Sequence, residues 1–172
     1  AKMGIPILIH EQNAFPGMTT KMLSKYAKKV MLAVEDAKKY LDPSCPITVT
    51  GNPVRPAILS ARRETARKKL GLDGRPLILS FGGSLGARKI NEAVADLIAW
   101  SSKDDRYQHI HAYGQYGSWF PELLIKKGVD LKKHANLDIR EYIKDMPDCL
   151  AAADLVICRA GAITLSELQA LS

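Results

Sequence analysis

The sequence predicts an α/β protein of parallel βαβ units, divided between two lobes. Three observations carry that prediction. Apolar runs of strand length alternate along the chain with segments of helical period, the pattern that sets parallel strands beside crossover helices. The run 77–81 has the composition of a strand buried on both faces, and it stops at Gly82-Gly83, where the chain must turn sharply. The segment Gly51-Asn52-Pro53-Val54-Arg55-Pro56 has linker composition, and the periodic pattern restarts beyond it. The lobe boundary is placed there, giving lobes 1–52 and 53–172.

Beyond Gly86 the period changes: Ile90, Val94, Leu97 and Ile98 recur at helical spacing, with Lys89, Glu92 and Asp96 between them. A strand, a glycine-rich turn and a helix therefore follow one another. Gly82 and Gly83 let a ligand approach the backbone, Ser84 adds a hydroxyl, and aligned dipoles at a helix N-terminus favour an anion by roughly 0.3 to 2 kcal/mol. A phosphate fits such a turn; so does the plain need of a chain to reverse direction.

In order, a strand is expected at 5–9, running into the polar residues His10, Glu11, Gln12 and Asn13 at its C-terminal end, where open α/β sheets place ligand contacts. A helix capped by Thr19 and reaching about Tyr26 follows, then a strand at 29–33, a helix at 35–41 and a strand at 47–50. Gly51 and the two prolines argue against regular structure at 51–56. Arg55, stiffened between prolines, suits bidentate contact with phosphate; pairing with a surface carboxylate is the alternative. The second lobe opens with a basic helix at 65–70. After the glycine-rich unit come a strand at 107–113, a helix at 116–127, a strand at 137–140, a helix at 145–152 and a strand at 154–158. A final helix spans 163–171. Thr164 and Glu167 have the spacing of a capping box, the structural alternative to a carboxylate that accepts hydrogen bonds from ribose hydroxyls.

The 172 residues, 47% hydrophobic, are enough for one ordinary domain or two small ones. No apolar run approaches the ~18 residues of a membrane span and no leader opens the chain, so a cytoplasmic protein is expected. Cys45, Cys149 and Cys158 lack CxxC spacing and read as reduced core residues. The net charge of +7 suggests a phosphate-rich ligand or an anionic membrane surface. Much of it sits in Lys21, Lys25, Lys28 and Lys29 and in Arg62, Arg63, Arg67, Lys68 and Lys69, which the blander reading makes solvated helix faces. Nucleic acid is disfavoured, because aromatics are 6% and none is interleaved with the basic runs. No metal motif is evident; Asp104-Asp105 reads as a solvated loop.

Five motifs together give the chain a resemblance to the MurG family: IHEQNAFPGMTTKML, VTGNPVR, SFGGSLGARKIN, YIKDM and AADLVICRAGAITLSEL, in that family's order and across nearly the whole chain. The resemblance implies the two-lobed GT-B architecture, here as parts of two Rossmann-like lobes, with the sugar nucleotide held mainly by the C-terminal one. It implies inverting transfer of N-acetylglucosamine from UDP-N-acetylglucosamine to undecaprenyl-linked muramoyl pentapeptide in peptidoglycan synthesis. Neither cofactor nor metal is implied, and the place is the inner face of the cell membrane.

The resemblance also implies roles residue by residue. Gly82, Gly83 and Ser84 match the segment near the donor phosphates, and Arg55 an arginine near the same diphosphate. Ile143 matches the residue whose backbone recognises uracil. Ala162, Ile163 and Thr164 match the helix start at the phosphates, Glu167 the ribose-binding glutamate, and His10, Glu11 and Asn13 a motif on the acceptor side. Leu85 stands where the family usually has glutamine, which removes a polar contact beside the phosphates. The family's histidine proposed as base and its sugar-contacting glutamines match no residue here, so the chain is expected to be a fragment with little transfer of its own and no residue is named as the base. A nicotinamide dehydrogenase is disfavoured by the lack of GxGxxG. The alternatives are a UDP-sugar epimerase and a non-catalytic sugar-nucleotide-binding half that needs a partner chain.

Overall fold

The computed structural model describes residues 3–42 and 44–171. The chain divides into two units, 1–54 with 161–167, and 55–160 with 168–172.

In the first unit β1 (Leu8–Glu11), α1 (Met18–Ser24), β2 (Lys29–Leu32), a 3-10 helix (Glu35–Tyr40) and β3 (Ile47–Val49) follow one another. The strands form a parallel sheet in the order β1-β2-β3. Val30 and Leu32 of the central strand are fully buried and pack with Ala37, Leu41 and Cys45. The first strand lies later than the apolar pattern suggests: His10 and Glu11 are strand residues, paired with Met31 and Leu32, while Ile5 is exposed. Pro6 has no amide to give to a ladder, and pairing starts beyond it. Gly17, not Thr19, stands at the N-cap of α1, with no side-chain cap.

The second unit contains α2 (Pro56–Leu59), α3 (Arg63–Lys69), β4 (Leu77–Phe81), α4 (Arg88–Ser101), β5 (Gln108–Ala112), α5 (Phe120–Lys126), β6 (Leu137–Arg140), α6 (Met146–Ala152) and β7 (Leu155–Cys158). The last helix, α7 (Ala162–Gln169), is shared, its first turns grouping with the other unit. All four strands are parallel, in the order β6-β5-β4-β7. Every residue of β4 and β5 is buried, as a doubly covered sheet requires. Val94, Ala95 and Ile98 of α4 meet Phe120 and Leu124 of α5 in the main core, while α3 packs on α6.

Two further elements depart from expectation. The proline-rich linker contains α2, because Pro56 occupies the first helical position, where its fixed φ fits and no amide is needed. The helix expected from 116 begins at Phe120, because Gly117 is held in a turn by the hydrogen bond its N–H donates to the Gly114 carbonyl. The basic residues of the run at 62–69 are exposed except for the half-buried Arg67, yet the run is partnered: Arg63 and Arg67 pair with Asp154, Arg67 also donates to three backbone carbonyls, and Lys69 pairs with Asp148.

Ser80, His109 and His111 form one buried polar cluster inside the sheet. The Ser80 hydroxyl on β4 sits 2.7 Å from His109 Nε2 and 2.8 Å from His111 Nδ1 on β5. Burial holds both imidazoles below the ordinary histidine range, so both are neutral.

Candidate functional site

The loop after β4 is built around two left-handed glycines, Gly83 (φ +91°) and Gly86 (φ +86°). A Cβ on Gly82 would stand 2.4 Å from the Ala87 nitrogen, so only glycine closes this turn. The Gly86 amide donates to the Gly83 carbonyl, and the Ser84 and Leu85 carbonyls accept from the amides of Gln115 and Tyr116 at 3.1 and 3.0 Å. Because C=O and N–H point to opposite sides of one peptide plane, anchoring the Ser84 carbonyl on the 113–117 turn aims the Leu85 amide away from it. Among the described residues the amides of Gly83, Ser84 and Leu85 have no acceptor. They stand just ahead of α4, whose N-cap Ala87 supplies no side-chain acceptor, so the positive end of a 14-residue helix adds to them. Such an arrangement can hold a phosphate. Leu85 does not replace a polar contact with another: its side chain lines a cleft of about 300 Å³ with Tyr113, Tyr116 and Trp119.

Ile143 lies in the loop after β6. Its side chain is buried, while its own N–H and C=O have no partner among the described residues. An apolar anchor thereby presents a bare donor and acceptor. The loop is fixed by Arg140, which bonds Asp138 and Asp145, and by the Gly114 amide, which donates to the Glu141 carbonyl at 2.9 Å. The Asp138 contact raises the Arg140 pKa above its ordinary value, with Asp145 adding to it. β7 runs beside β4 with Phe81 opposite Cys158, so the turn begun by Arg159 and Ala160 leaves the same end of the sheet as Gly82. Arg55 is exposed at the N-cap of α2, in extended conformation.

In the first unit, Glu11 is buried and both its oxygens are taken. Oε1 accepts from the backbone and side-chain amides of Asn13, and Oε2 from the Gly17 amide and the Thr20 hydroxyl, at 2.7–3.1 Å. Burial pushes this carboxyl up, and the bonds from Thr20, Asn13 and Gly17 outweigh it, leaving the pKa lowered. His10 Nε2 reaches the Gly51 carbonyl at 3.0 Å. Asn52 donates to the Gln12 carbonyl and to Ser166 Oγ, tying the HEQN loop to the start of α7. There Ala162, Ile163 and Thr164 are half-buried and Glu167 is buried. Thr164 lies inside α7, not at its N-cap, so Thr164 and Glu167 do not form a capping box.

The structure thus groups His10, Glu11 and Asn13 with the start of α7 in one unit, and Ser84, its glycines, Ile143 and Arg55 in the other. Three residues went unnoticed in the sequence. Asn52 is hidden in linker composition, and Gly117 in a helical pattern. Asn91 did leave a trace: it sits on the buried face of α4 with Val94, Ala95 and Ile98, where a polar residue is out of place. The three cysteines are free, and burial raises all three pKa values, Cys149 to about 12, so none is poised as a nucleophile.

Residues 77–172 match the C-terminal domain of glycosyltransferase family 28, and residues 1–32 match its N-terminal domain. Relatives from Acetivibrio thermocellus and Desulforamulus reducens, each 48% identical over 99% of this chain, carry the name UDP-N-acetylglucosamine--N-acetylmuramyl-(pentapeptide) pyrophosphoryl-undecaprenol N-acetylglucosamine transferase. The chain spans 46% of their length, about half of each. The crystal structure of Acinetobacter baumannii MurG superposes with a TM-score of 0.61 at 33% identity, over 99% of this chain and 44% of that one. WaaG, a glycosyltransferase involved in lipopolysaccharide biosynthesis, shares the fold with a TM-score of 0.57 at 19% identity, over 97% of this chain and 55% of its own. These likenesses agree with the five motifs and with parallel sheets of GT-B type. With more than half of its residues matched by the C-terminal model, the chain belongs to glycosyltransferase family 28.

Proposed function

We propose that this chain carries the donor-binding part of a transferase that moves N-acetylglucosamine from UDP-N-acetylglucosamine to undecaprenyl-linked muramoyl pentapeptide, with inversion. The observation that carries the proposal is the strand–turn–helix at 77–101, whose Gly83, Ser84 and Leu85 amides have no acceptor among the described residues. The acceptor's 4-hydroxyl oxygen bonds to the anomeric carbon and gives up its proton to a base, the bond from that carbon to the UDP oxygen breaks, and the diphosphate leaves with the electron pair and an added negative charge. The loop amides, the α4 dipole, Ser84 and Arg55 offset that charge without a metal ion. Ile143 pairs its backbone with uracil, and Ala162, Ile163 and Thr164 complete the phosphate contacts. Glu167 accepts the ribose hydroxyls. No residue of this chain is assigned as the base.

Residues 1–52 take the acceptor and membrane side, and 53–172 the donor side. His10 and Asn13 face the acceptor, and Glu11 acts by shaping their loop. Exposed Met18, Met22 and Tyr26 beside Lys21 and Lys25 favour contact with an anionic membrane surface, with no nucleic acid partner.

Calorimetric titration of the chain with UDP, ADP and inorganic pyrophosphate tests the donor assignment. Binding of UDP in preference to ADP is the expected result, and no UDP binding at millimolar concentration overturns it. Incubation with sugar nucleotide and lipid-linked acceptor should yield a β-linked disaccharide lipid from any transfer; a 2-epimerised sugar would instead favour the epimerase.

A further inference from the structure

The turn 113–117 touches both halves of the proposed donor site. Its Gln115 and Tyr116 amides hold the Ser84 and Leu85 carbonyls, and its Gly114 amide holds the Glu141 carbonyl, two residues before Ile143. Its two glycines leave no room for a side chain. A Cβ on Gly114 would stand 2.1 Å from the Gly86 nitrogen, and one on Gly117 2.3 Å from the Tyr113 carbonyl oxygen. That same carbonyl accepts from Asn91 Nδ2 at 2.9 Å, whereas Asn91 Oδ1 is buried without a partner among the described residues. A buried amide that leaves its own oxygen unsatisfied is a poor choice for stability alone. It is explained if its nitrogen is needed where it is.

We propose that Asn91 and the 113–117 turn form a brace that fixes the spacing between the base-recognising backbone of Ile143 and the phosphate-facing amides of 83–85. Asn91 is a positioning residue: it holds the Tyr113 carbonyl, the turn holds both loops, and neither touches the nucleotide. The brace makes a single rigid ruler for a nucleoside diphosphate, so its loss separates the two parts of one affinity. Base recognition survives, and the gain from adding two phosphates disappears.

The inference rests on the donor reading above, and the ratio of uridine to UDP dissociation constants tests it. Calorimetry on the 172-residue chain should give UDP binding at least tenfold tighter than uridine. Asn91→Ala and, separately, Gly117→Ala should bring that ratio to within about twofold of unity while the uridine constant changes by less than threefold. If the unaltered chain binds no UDP, the donor reading fails before the brace is reached. If it binds UDP and both variants keep the ratio, the brace is wrong. Equal weakening of uridine and UDP, or loss of the folded circular-dichroism spectrum in both variants, also overturns it, because the residues would then serve the fold as a whole.

Discussion

Glu11 shows how far a residue's surroundings can alter the role its position suggests. A carboxylate at the end of a buried strand invites a catalytic or ligand-binding reading, but an ionised carboxylate has about four acceptor sites and all four are filled from within residues 13–20. Its carboxylate therefore acts through the loop it holds. Glu11→Gln keeps the shape and replaces one acceptor oxygen by a donor that faces another donor. Chemical denaturation at pH 7 should show a loss of about 1–3 kcal/mol. Because the folded-state pKa is lowered, the contribution is fully present above the unfolded value of about 4.3 and is lost as pH falls through the folded value. The variant should accordingly show a flatter acid limb; an unchanged limb would mean that Glu11 is not the group responsible.

At the scale of elements, β4 and β5 carry the most unusual chemistry in the sheet. Ser80 has one proton to share between two imidazoles, so it donates to one ring and accepts from the other. The second nitrogens, His109 Nδ1 and His111 Nε2, are buried without partners among the described residues, and one of them must carry a proton that meets no acceptor there. Both rings are held neutral by burial, while in the unfolded chain they protonate near pH 6.5. The unfolded state thus binds more protons below that pH, and stability falls on acidification by up to about 1.4 kcal/mol per pH unit for each ring. Urea midpoints should drop measurably between pH 7 and pH 5, and His109→Leu should remove part of the drop. A midpoint flat across that range would show that the rings are not buried neutral. Neither histidine was foreseeable as a pair, because alternation along one strand does not reveal which hydroxyl the neighbouring strand brings between them. The elements that could be read closely are β4, whose limits are set locally by an apolar run ending at two glycines, and β6, where Leu137 and Ile139 alternate with Asp138 and Arg140. Those that slid, β1 and α5, have limits set by a proline's missing amide and by a glycine turn packed against a distant loop. The candidate site followed the same division: its glycines and Ser84 were legible from local composition, whereas Asn91 and Asn52 act through contacts 22 to 114 residues away, and Gly117 through a turn packed against Asn91.

For the molecule as a whole, the proposed donor site predicts a response that composition could not distinguish from general attraction of a basic protein to phosphate. A ligand that binds only the folded state stabilises it by about 2.7 kcal/mol at one hundred times its dissociation constant. For a chain of this size each kcal/mol moves the melting temperature by roughly 2–4 °C, so UDP at that level should raise it by about 5–11 °C. General charge attraction, acting over a net charge of +7, would extend to pyrophosphate and fade in 0.5 M salt; a site that also reads uracil and ribose should retain most of its shift there. The shift should be the same with magnesium and with EDTA, because loop amides, a helix end and Arg55 are proposed to do what a cation does elsewhere. A requirement for magnesium would sink that account. Glu167→Ala should lower the unliganded melting temperature, since a buried polar side chain is removed, so the diagnostic quantity is the UDP-induced increment. Loss of most of that increment, with the response to pyrophosphate retained, separates a ribose contact from a purely structural glutamate; an undiminished UDP increment would return Glu167 to the fold and leave the ribose to another group.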